Sequence, residues 1–147
     1  MSYEQIGAKS LNAQTQGEGG SDYYCELADW CEELAPDEQR KGFERILREL
    51  ADFDLSPDGG RKDIASQWIS LLADSGAFES AAIALVPRDA IYTGGRMKDG
   101  SFVAQVIPQG GAGAHSRKAS SFSMALLAAL LRALARENFN EQSVRAH

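Results

Sequence analysis

The residue types best suited to chemistry gather at 110–121, which reads Gly-Gly-Ala-Gly-Ala-His-Ser-Arg-Lys-Ala-Ser-Ser. Flexible backbone N–H groups, two cations and several hydroxyls just before a helix start are the components of an anion site. The spacing fits neither GxxxxGK[ST] nor a GxGxxG that follows a strand in a parallel unit, so neither nucleotide fingerprint is present. The plain reading is a flexible loop. The chemical alternative is sequestration or sensing of a small, anionic, nucleotide-like molecule by Arg96, His115, Arg117, Lys118 and Ser120.

Other reactive residues are few. Cys25 and Cys31 are six apart on a predicted helix, on different faces, and make no CxxC pair. The two histidines, His115 and His147, are far apart in sequence, which leaves no compact zinc-ligand pattern. Serines and carboxylates are plentiful but no GxSxG elbow occurs, and geometry rather than inventory makes a triad. The expectation is a protein that is not an enzyme and uses no metal or cofactor.

Charge is the stronger signal. The net charge of −6 divides unevenly: residues 1–80 hold 17 acidic and 7 basic side chains, and residues 81–147 hold 4 and 8. Such a division gives the two parts different surfaces for solvent or partners, and it also lets one part dock on the other. Within 18–58 the count is 13 acidic to 4 basic. On helices these residues display a carboxylate-rich surface that repels nucleic acid and attracts a basic protein surface. The plain reading is a solvated face that keeps the chain soluble. The functional reading names Glu26, Asp29, Glu32, Glu33, Asp37 and Glu38 as partner contacts, with Tyr23 and Trp30 as aromatic anchors.

The elements that must position these residues follow from periodicity. Residues 1–20 sustain no apolar period and read as a flexible N-terminal tail. Tyr23, Tyr24, Leu27, Trp30, Cys31 and Leu34 give a first helix behind Ser21 as N-cap, and Ala35-Pro36 ends it and starts a second. That helix runs to about Phe53 with Phe43, Ile46, Leu47 and Leu50 on its apolar stripe. Asp63 opens a third, whose buried side is Ile64, Trp68, Ile69, Leu71 and Leu72. The run 78–86 fits helix or strand equally well. A hairpin turning at Asp99-Gly100 joins strands over 90–97 and 101–107, with apolar residues on both sides of the second strand, so the sheet is expected to be covered on both faces. A short third strand is expected near His115. Ser120 or Ser121 caps a last helix carrying Met124, Leu127, Leu130, Leu131 and Leu134, with Arg132 and Arg136 near its end and 138–147 frayed. The order predicts an α+β domain over 21–137, built from an acidic helical pair (21–54) and an α-β-β-α core (63–137).

That core, with DGSFVAQV in its hairpin, a glycine-rich loop and then ASSFSMALLAALLRAL, resembles small bacteriophage proteins with the phage α-β-α (ABA) sandwich domain. The resemblance covers roughly half the chain, about 63–137. It implies a phage or prophage accessory protein, acting in the host cytoplasm and binding a host factor such as a defence component, as an anti-CRISPR protein does. It carries over no catalytic residues.

With 147 residues and 44% hydrophobic composition, one domain is expected. The uncharged apolar stretch at the last helix spans 13 residues, 119–131, against the roughly 20 that cross a bilayer, so no membrane span is expected. Two cysteines and no leading apolar segment point to the cytosol. The apolar last helix offers more leucine surface than one small sheet can cover, so a homo-oligomer or self-assembling structural protein is a further expectation.

Overall fold

The computed structural model describes residues 20–50 and 62–145. The predicted tail (Gly20 apart), the stretch around Phe53, the loop at 54–60 and the last two residues lie outside them. Among the described residues the chain forms five α-helices and one three-stranded antiparallel sheet, an α+β fold.

Helix α1 (Gly20–Glu32) starts a residue before Ser21, which sits inside the first turn rather than capping it. Its buried side is Tyr24, Leu27, Ala28 and Cys31, the i, i+3, i+4, i+7 spacing of one helical face. The helix closes when Glu33 and Leu34 N–H groups donate to Trp30 and Cys31 carbonyls at 3.2 Å. Pro36 then opens a single 3-10 turn (Pro36–Glu38) that leads into α2 (Gln39–Glu49). Phe43, Ile46 and Leu50 are buried as expected, and Leu47 is half-buried.

Helix α3 (Lys62–Asp74) buries Ile69 and Ala73, but Trp68 and Leu71 are 56% and 59% exposed, so the predicted buried side is only partly correct. Residues 78–86 resolve as helix α4 (Phe78–Leu85), which buries Ala81, Ala82 and Leu85 at helical spacing. Strands β1 (Ile91–Arg96) and β2 (Phe102–Ile107) form the predicted hairpin, with Gly100 at φ +88° in the turn, where a side chain would be strained. Strand β3 (Ala114–His115) pairs with the other edge of β2.

Helix α5 (Phe122–Arg145) organises the domain. Every side chain from Ser123 to Leu131 is buried, and α1, α4 and all three strands pack against it. A helix apolar on all sides belongs inside a core rather than on a surface. Leu127, Leu130, Leu131 and Leu134 are therefore covered by their own chain, and the surplus leucine surface expected to drive oligomerisation does not exist. The backbone also stays helical to Arg145, past the fraying expected from 138.

The sheet turns Ala104 and Val106 toward α5. The opposite side, with Ile91, Thr93, Val103, Gln105 and Ile107, meets no described helix, so the expected covering of both faces is corrected to one. None of the described helices is long and apolar enough to cross a membrane.

Candidate functional site

Asp22, Glu26 and Asp29 on α1, with Glu33 in the turn just past its end, have a spacing of i, i+4, i+7 and i+11 that follows one helical face. Asp22, Glu26, Glu33 and the nearby Asp37 are exposed, and none of the four carboxylates has a hydrogen-bond or ion-pair partner among the described residues. Glu38 is partly committed: its Oε1 accepts the Ala35 N–H at 2.9 Å, and Oε2 lies 3.8 Å from Lys41 Nζ.

Asp29 and Glu32 behave differently. Glu32 is the last residue of α1, where a negative charge opposes the helix dipole, and its side chain is buried. Arg132, from the middle of α5, answers with a two-pronged guanidinium–carboxylate contact, Nη1 to Oε2 and Nη2 to Oε1 at 2.9 Å. The same Nη2 donates to Asp29 Oδ1 at 2.6 Å, and Nη1 to the His115 carbonyl at 3.2 Å. The Arg117 backbone N–H donates to Glu32 Oε2 at 2.6 Å, and its guanidinium lies 3.7 Å from Asp29. Contact with Glu32 holds the Arg132 guanidinium more firmly protonated than usual. This network ties α1, the segment after β3 and α5 together. Glu32, predicted as a partner contact, is instead an internal one, and Asp29 is largely spent the same way.

The predicted aromatic anchors lie off the acidic stripe. Arg45 of α2 stacks over the Trp30 ring, 4.6 Å from its centre, and with Lys41, Glu44, Leu47, Arg48 and Ser70 they line an open groove between α1, α2 and α3. The Tyr23 ring is 6.1 Å from that of Tyr24, and burial, then the neighbouring Glu49, raise its hydroxyl pKa.

The expected anion site is not assembled. Arg96 lies on β1 and Lys118 beyond the other edge of β2, which is bridged there by Ala119, so a full strand separates them. Lys118 Nζ is 2.9 Å from Asp99 Oδ2, and Arg117 faces Asp29. Lys118 and the Ser101 hydroxyl and N–H hold the Asp99 carboxyl well below the usual carboxylate range. His115 and Ser120 are exposed, the His115 ring standing 3.4 Å from the Gln105 amide. At the start of α5 the buried Ser121 Oγ sits 3.4 Å from the Met124 N–H, and Ser123 Oγ donates to the Gln39 carboxamide. Of the N–H groups that an anion would use, that of Met124 faces the Ser121 hydroxyl and that of Arg117 is taken by Glu32.

Sequence reading missed two things. Arg132 was expected to complement a helix end, whereas it is a mid-helix cation inside an apolar stretch. A lone arginine there must find a carboxylate, which was the available signal. Asp22 completes the stripe by spacing alone. Among the described residues no group of three or more potential ligands is placed to hold a metal ion. No protein-family model, curated protein or solved structure matches this chain.

Proposed function

We propose that this chain is a non-enzymatic binding protein whose acidic stripe along α1, continued past its end by Glu33 and Asp37, docks on the basic surface of a partner protein. The observation that carries this reading is the split among the carboxylates. Asp29 and Glu32 are consumed by Arg132 and Arg117, while Asp22, Glu26, Glu33 and Asp37 stay exposed and unpaired beside them. A rigid helix held by its buried neighbours presents these charges in fixed register, which favours steering and orientation more than raw affinity. The phage-type resemblance of the C-terminal core extends the proposal: the partner is a host factor, a defence-system component, and occupying its basic surface inhibits it.

The test compares the intact chain with a Glu26→Lys, Glu33→Lys, Asp37→Lys variant as baits in a bacterial lysate, with retained proteins identified by mass spectrometry. The reading expects a basic protein that the intact chain retains and the folded variant loses. Equal retention by both baits contradicts it.

A further inference from the structure

We infer that the free edge of β1 is a second docking surface, built to receive an extended acidic segment of a partner protein as an added strand. The backbone phase follows from the other edge of the sheet. Phe102 exchanges both of its backbone hydrogen bonds with Ala119, at 2.8 and 2.9 Å, and the Ala104 carbonyl accepts from the Ser116 N–H at 2.8 Å. Phe102 and Ala104 thus point their N–H and C=O groups away from β1, and in an antiparallel ladder the alternate residues Val103, Gln105 and Ile107 point theirs toward it. Their register partners are Gly95, Thr93 and Ile91. The groups of Tyr92, Gly94 and Arg96 are therefore left facing outward, with no described element beside them.

The side chains match that opening. All six residues of β1 are exposed, Ile91 and Tyr92 by 62% and 38%, and Met97 beyond its end by 42%. The strand contains no proline, and Arg96 is its one charged residue, so the usual protections of an edge are sparse. Arg88, Arg96 and Lys98 are exposed and have no ion-pair partner among the described residues, against one free carboxylate nearby, Asp89. A positive edge on a chain of net charge −6 selects an acidic strand. It disfavours a second copy: antiparallel pairing about Gly94 would bring Lys98 of one copy near Arg88 of the other and Asp99 near Asp89, like against like.

The experiment titrates the intact chain into a short fluorescein-labelled peptide of alternating glutamate and valine and follows anisotropy. Saturable binding is expected. Tyr92→Pro deletes one outward N–H without touching the β1–β2 ladder, and should weaken binding by about tenfold, while Tyr92→Val retains it. Arg96→Glu with Lys98→Glu should weaken it as much, with the circular dichroism of each variant unchanged. Reversal of Glu26 and Glu33 should leave it intact, which separates this surface from the acidic stripe. The inference is overturned by no binding, by equal binding of a lysine–valine peptide, by tighter binding of oligouridine RNA, or by a dimer that Tyr92→Pro dissociates.

Discussion

Glu32 and Arg132 show how one pair can set the internal geometry of a small domain. Glu32 is buried and Arg132 half-buried, so removing only one member leaves a charge without an answer in a poorly solvated place. Arg132→Met should cost about 3–5 kcal/mol in urea unfolding, and adding Glu32→Leu should restore most of that loss. A single-variant cost below about 1 kcal/mol would mean the pair is not structural. The cysteines give a second prediction. Cys25 is exposed and Cys31 buried, so iodoacetamide should label one thiol in the native protein and both after denaturation. Burial pushes the Cys31 thiol up to about 12, above the unfolded value of about 8.5. Its stabilising contribution is then complete below about pH 8.5 and is lost as pH rises toward about 12. Urea midpoints for the intact chain and Cys31→Ala, measured at about pH 8 and pH 10, should show the steeper alkaline fall in the intact chain.

At the level of elements, the β1–β2 hairpin depends on a close approach at one glycine. A Cβ at Gly94 would lie 2.6 Å from the Val103 carbonyl oxygen and 2.7 Å from the Phe122 ring, whereas one at Gly95 would meet open space. Gly94→Ala should lower stability by about 1–3 kcal/mol and Gly95→Ala should be close to neutral, as thermal unfolding would show. The hairpin itself was legible because Asp99-Gly100 between alternating apolar residues is a strong local signal, and α1 and α2 were legible from spacing and Pro36. The undecided stretch 78–86 was not, because so short an apolar run fits either period until α5 supplies a surface for Ala81, Ala82 and Leu85. Trp68 and Leu71 were expected inside from residue type and helical spacing. Which side of a helix is covered is decided by its neighbours, and sequence spacing does not report those.

Across the whole molecule, the division of charge read from the sequence has two uses. Part of it joins the chain to itself through Asp29, Glu32, Arg117 and Arg132, and part stays on the surface as the stripe of Asp22, Glu26, Glu33 and Asp37. Residue counts revealed the division but not the partition, since only the packing of α1 on α5 determines which carboxylates meet a cation. The expected anion-binding residues failed to converge for the same reason: packing placed Arg117 and Lys118, adjacent in sequence, beside carboxylates from elsewhere. The claim that the remaining stripe binds a basic partner by electrostatic steering is tested most directly by the association rate of the intact chain with the protein it captures, followed from about 50 to about 500 mM salt. The rate should fall by about tenfold or more while dissociation changes little. An association rate that stays flat across that range would contradict the account.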